Sequence, residues 1–225
     1  MKIALQLAIT ASLMVALAGL VARRRLGLCW SFVPYALAII ICGNLATLWP
    51  ARFFTPEFWL FKQALYDLCK LAIALELAWR VLRAFPGAER TARRWVAVLL
   101  VGSTTVAAMG PPRAYDSIAE WQLGALVGIV WLFTLTALVV VWYRLPVHVW
   151  HRALLAGFSG YLLVFGAALQ AFRSNGWTIA WWVGLADGGA YLVVAWMWGL
   201  AAWRREPLPE GTSETVARRL GLAAL

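Results

Sequence analysis

Asp67, Lys70 and Asp187 each stand within a run of apolar residues, where a charge needs a partner or a purpose. The first two occur in FWLFKQALYDLCKLAIALELAWR, residues 58–80. At helical spacing Gln63, Asp67 and Lys70 fall on one face, with Tyr66 on its border and within i+4 reach of Lys70. Asp67 and Lys70 are then separated by about 4.5 Å along the axis, near enough to pair. Lys62, close to the end of the run, can snorkel outward, and Glu76 can pair with Arg80 at i+4. Asp187 is the one internal charge of residues 178–202, and Gly184, Gly188 and Gly189 around it permit close backbone approach. An ionised side chain at a bilayer centre costs at least about 2.5–3.5 kcal/mol. The three charges are therefore expected to converge inside a bundle, with Lys70 between two carboxylates. One lysine facing two carboxylates leaves a titratable excess, which is the chemistry of proton exchange or of holding a small ligand or ion.

Helices must carry these groups, and the sequence supplies seven apolar stretches: 3–22, 28–48, 58–79, 95–111, 120–142, 149–171 and 178–202. Each is near the roughly 20 residues that span a hydrocarbon core about 30 Å thick. Hydrophobic residues make up 63% of the chain and charged ones 13%, against about 25% charged in soluble domains. Positive charge falls in alternate gaps. Arg23, Arg24 and Arg25 fill the first gap, and Arg80, Arg83, Arg90, Arg93 and Arg94 the third. Arg144 and Arg152 follow in the fifth, and Arg204, Arg205, Arg218 and Arg219 in the tail. The other side holds Lys2, Arg52, Arg113 and Arg173, partly offset by Glu57, Asp116 and Glu120. Loops rich in arginine stay cytoplasmic. The expected fold is thus all-α: a polytopic bundle of seven transmembrane helices, N-terminus out and C-terminus in, in a bacterial-type inner or plasma membrane. Residues 1–203 form that domain and 204–225 a short cytoplasmic tail. Ala16-Leu17-Ala18 offers a signal-peptidase pattern, but Arg23-Arg24-Arg25 is the wrong flank for a translocated mature end.

The remaining residues read as supports. Most of the 15 tryptophans lie near helix ends, as an interfacial belt. Trp131 and Trp196 lie deeper and are expected to line a pocket. Cys29, Cys42 and Cys69 show no paired spacing and read as small packing residues. His148 and His151, at i and i+3, are weak metal-ligand candidates without a nearby Cys, Asp or Glu. Asn44, Thr104, Thr105, Thr134, Thr136, Tyr161 and Gln170 form a second polar set that a cavity could collect. No phosphate-binding loop, zinc-protease motif or serine elbow occurs. No nucleophile–base set names an enzyme, and no cofactor is indicated. The net charge of +10 is explained by topology and anionic headgroups rather than nucleic acid.

Two function classes follow. The first is a small transporter or proton- or ion-handling protein working through Asp67, Lys70 and Asp187, with Gln63 and Tyr66 beside them. The second is a receptor or membrane subunit that binds a ligand or a partner membrane or cytoplasmic protein. A reporter active only in the cytoplasm is expected to work when fused after Arg205 or within 86–92. Activity from fusions near 114–118 instead would overturn the arginine argument.

Overall fold

The computed structural model describes residues 2–53, 55–83, 115–142 and 147–205, and these are all-helical, without strands. Among the described residues there are seven α-helices: α1 (Lys2–Ala22), α2 (Phe32–Leu48), α3 (Pro50–Phe53), α4 (Pro56–Arg83), α5 (Tyr115–Trp142), α6 (Val149–Asn175) and α7 (Ala180–Trp203). The expected stretch at 95–111 and the tail beyond 205 lie outside the described residues, as do Thr104 and Thr105. Three helical segments, Ile3–Ala22, Val149–Ala171 and Trp181–Trp203, are long and apolar enough to cross a membrane, and Phe32–Leu48 and Gly128–Trp142 are shorter apolar helices. Helix α4 falls outside both groups because of the charges within it.

Local chemistry sets the boundaries. Helix α1 ends where Arg24 adopts φ 53°, and the Arg25 amide returns to the Leu20 carbonyl at 2.7 Å, the left-handed cap that closes many helices. A short 3₁₀ turn at Leu26–Leu28 then delays α2 to Phe32, and Pro34 fits its first turn, where a missing N–H is harmless. Helix α6 stops at Asn175 because Gly176 takes φ 63°, a conformation that glycine adopts without strain. The small helix α3 was not legible in the sequence; Pro50 starts it after Trp49.

The six long helices among the described residues pack in a closed order, α1, α2, α4, α5, α6, α7 and back to α1. Helices α1 and α7 are parallel, since Gly188 sits on Leu5 at one end while Trp203 Nε1 donates to the Val15 carbonyl at the other. Helices α6 and α7 are antiparallel, with Trp198 Nε1 donating to the Ala153 carbonyl and Tyr161 beside Tyr191. The same reasoning makes α2 antiparallel to α1 and α4 (Asn44 to Thr10, Ser31 to Glu76) and α5 antiparallel to α6 (Phe133 on Phe158). One end of the ring therefore gathers the arginine-bearing turns. There Arg25 Nη1 donates to the Arg204 carbonyl at 2.8 Å, and Arg80 Nη2 to the Gly27 carbonyl at 2.6 Å.

Much of the outer face is apolar: Leu68, Val141, Val193, Trp131 and Trp196 are all exposed. Trp131 and Trp196 thus point outward, contrary to the pocket-lining role expected of them. Among the described residues the buried indoles are instead Trp150 and Trp198.

Glu76 ties the arginine end together. Its carboxylate accepts from the Trp30 and Ser31 amides (3.1 and 3.0 Å), from Ser31 Oγ (2.9 Å) and from Arg80 Nε and Nη2 (3.1 and 2.7 Å). Ser31 precedes α2 without capping it through its own side chain, so a carboxylate from α4 satisfies these amides and faces the positive end of the α2 dipole. A charged hydrogen bond contributes about 1.5–3 kcal/mol. Glu76→Gln is expected to lower thermal stability in detergent by about that much, read by tryptophan fluorescence. An unchanged melting curve would remove this tie from the structure.

Candidate functional site

A cavity of about 470 Å³ lies within the ring, walled by α1, α2, α4, α6 and α7. Its depth can be followed along each helix. Thr47, Trp59, Leu169 and Trp181 stand at one end; Tyr35, Lys70, Tyr161 and Tyr191 stand at the other. The first end is a mouth, where Trp59 and Trp181 are 38% and 46% exposed, while Tyr35 and Tyr191 on the floor are 0% and 5% exposed. The mouth faces away from the arginine-bearing turns.

Beneath the floor lies a block of buried aromatic rings. Phe158 stacks on Phe133 at 4.7 Å and tilts against Trp198 at 4.7 Å. Phe32 meets Trp150 and Trp198 edge-on at 4.9 and 5.4 Å. Each such contact contributes about 0.5–1.5 kcal/mol beyond burial. The block fills the space between the cavity and the arginine end.

The sequence-expected residues separate into two groups. Lys70 Nζ pairs with Asp67 Oδ1 at 2.6 Å, both buried, and Gln63 Nε2 donates to the same oxygen at 3.4 Å. Lys70 also lies 5.5 Å from the Phe165 ring centre, a cation–π contact. Asp187 does not join this pair. Lys70 and Asp187 line the same cavity, as expected, but the lysine bonds one carboxylate and not two: Asp67, one turn away on the same helix, takes it at no cost in helix approach. Asp187 turns instead to the Tyr161 hydroxyl, and its Oδ1 is buried without a hydrogen-bond partner among the described residues. The Tyr191 hydroxyl, on the same cavity floor, is likewise buried and faces the Tyr35 hydroxyl.

Lys62 is a second correction. Rather than snorkelling to the surface, it folds over the Tyr66 ring at 5.9 Å and lines the cavity. Among the described residues the ion pairs are Lys70–Asp67 and Arg80–Glu76, so Lys62 faces the cavity without a carboxylate of its own. Of the second polar set, Tyr161 lines the cavity. Asn44 bonds Thr10 and the Ile40 carbonyl, Thr136 bonds its own helix at Leu132, and Thr134 and Gln170 are exposed. Reading the sequence missed Tyr35 and Tyr191. Isolated tyrosines inside apolar runs were the available signal, since a buried hydroxyl requires a partner.

His148 and His151 are both buried, with rings 6.2 Å apart. His148 Nδ1 accepts from the Trp150 amide at 3.0 Å, and His151 Nε2 meets the Leu28 carbonyl at 2.7 Å. Burial, with Arg25 and Arg152 close by, pulls the His148 imidazole down to about 4. These contacts dock the start of α6 on the turn before α2. Among the described residues no group of three or more His, Cys, Asp or Glu side chains could hold a metal. Cys29, Cys42 and Cys69 are buried free thiols. No protein-family model, curated protein or solved structure matches this chain.

Lys70→Met is expected to destabilise the protein by leaving Asp67 buried and unpaired, at about 3–5 kcal/mol. Adding Asp67→Asn should recover much of that loss, because neither charge then remains. Thermal unfolding of the three forms in detergent measures it; equal losses in the single and double variants would show that the two are not coupled.

Proposed function

We propose that this chain is an integral membrane protein of seven spans, N-terminus out and C-terminus in, and that it works as a small transporter or proton- or ion-handling protein of a bacterial-type inner or plasma membrane. Three long apolar helices support membrane residence. The gathering of arginine-bearing turns at one end supports the orientation, with that end cytoplasmic.

One observation carries the functional reading. A carboxylate oxygen of Asp187 is buried, unpartnered, in a cavity that opens toward one end of the ring and is blocked toward the other by aromatic side chains. Buried polar atoms are ordinarily satisfied, so an unsatisfied carboxylate facing a cavity is a place for a solute, an ion or a proton. Access from one side only is what a transporter shows in one half of its cycle. Asp67 and Lys70 hold each other neutral at the cavity floor and position it, while Asp187 makes the exchangeable contact.

A receptor is the second reading, and the aromatic block favours it: a site permanently sealed toward the cytoplasm would signal through helix movement. Reconstitution separates the two. In liposomes loaded with a pH-sensitive dye, the wild-type chain is expected to dissipate an imposed proton gradient, and Asp187→Asn to abolish that flux while remaining folded. Flux that Asp187→Asn leaves unchanged would sink the role of Asp187. Absence of flux in the wild type would put the receptor first.

A further inference from the structure

The cavity is electrically polarised. Helices α4 and α7 stand across the ring from each other, separated by α1 and α2 on one side and by α5 and α6 on the other. Lys62 projects from the α4 wall and Asp187 from the α7 wall, each near enough to feel the other's charge but without forming an ion pair. Counting from the mouth tryptophans, Lys62 follows Trp59 by three residues and Asp187 follows Trp181 by six, depths of about 4.5 and 9 Å at 1.5 Å per residue. Lys70 adds no net charge to the floor, because Asp67 holds it. Among the described residues the cavity thus presents one free cation near the mouth and one free carboxylate about a turn deeper, on opposing walls.

A simple cation placed at Asp187 would leave Lys62 uncompensated, and a simple anion at Lys62 would do the same to Asp187. A molecule carrying both charges satisfies both walls. The floor suits its ammonium end: Asp187 Oδ1 is a buried acceptor without a partner among the described residues, and the Tyr161 and Tyr191 rings, 5.0 Å apart, offer aromatic faces of the kind that attract ammonium groups. A volume of about 470 Å³ falls in the range of small-molecule sites, about 300–1,000 Å³.

Resting on the proposed solute site, we infer that the cavity binds a small zwitterion, its ammonium at Asp187 and its oxyanion at Lys62. Two sources share that chemistry: a free amino acid, and the ethanolamine phosphate of a lipid headgroup.

Quenching of tryptophan fluorescence in the purified full chain tests this, with Trp59 and Trp181 at the mouth as reporters. The probes are glycine, leucine and phenylalanine, the amine and the carboxylic acid sharing each side chain, and phosphoethanolamine. At least one zwitterion is expected to bind, and its matching amine and acid to bind roughly 10–100-fold more weakly, the loss of one charged contact. Asp187→Asn should weaken the zwitterion by a similar factor and spare the acid; Lys62→Gln should weaken the zwitterion and spare the amine. Lys62 is only half-buried, so its variant keeps the test alive if Asp187→Asn fails to accumulate. Binding of amino acids alone identifies a free solute, and binding of phosphoethanolamine, with competition by phosphatidylethanolamine nanodiscs, identifies a headgroup; either supports the inference. An amine or acid that binds as tightly as its zwitterion overturns it and leaves the solute site standing. Silence from every zwitterion also overturns it, and Asp187-dependent proton flux then shows whether the broader role survives.

Discussion

The pairing of Asp67 with Lys70 sets the terms for the rest of the ring. Both residues are on α4, one turn apart, and they meet at 2.6 Å with Gln63 as a second donor to the carboxylate. A buried pair repays its desolvation only when its geometry is good and its spare hydrogen-bonding capacity is used. Because this pair forms within one helix, no neighbouring helix has to carry a counter-charge to it, and α6 contributes the Phe165 ring. The consequence falls on α7. Asp187 reaches the same cavity without an ion pair of its own, and the charge that matters for binding is the one that the local pair excludes.

The aromatic block beneath the cavity turns that charge into a one-sided site. In an apolar medium helices gain little from hiding hydrocarbon and associate through close packing and hydrogen bonds. Trp198 shows how this is done here. Its ring lies over Gly157, where an added Cβ would come within 2.6 Å of Nε1, and its N–H reaches the Ala153 carbonyl. The absent side chain at position 157 lets an indole seal the space between α6 and α7. Rings from α2, α5 and α6 complete the seal, and the solvent-side polar groups end at Tyr35 and Tyr191.

Much of this was legible in the sequence because long apolar runs leave a strong imprint on a chain. The positions of the six long described helices followed from apolar length, and the polar face of α4 from a spacing of three and four residues. What was not legible depended on rotation and on choice between partners. Trp131 and Trp196 lie mid-helix like Trp198, and only the packing of α5 and α7 decides that the first two face outward. Lys62 had two ways to reach water, outward or into the cavity, and the Tyr66 ring favours the second. Asp187 had two partners within reason, and the one-turn proximity of Asp67 to Lys70 removed one of them. Glu76 was readable as a partner of Arg80, but its grip on the start of α2 required knowing that the two helices are antiparallel.

Thiol accessibility tests most directly that Asp187 opens to one side while Asp67 is sealed with Lys70. Cys29, Cys42 and Cys69 would first be replaced by Ala, and a single cysteine placed at 187 or at 67. A membrane-impermeant thiol reagent would then be applied to right-side-out and inside-out vesicles. Labelling of position 187 from the outer face alone, with position 67 silent from both, is the expected result. Labelling of 187 mainly from the arginine-bearing face, or of 67 as readily as 187, would contradict it.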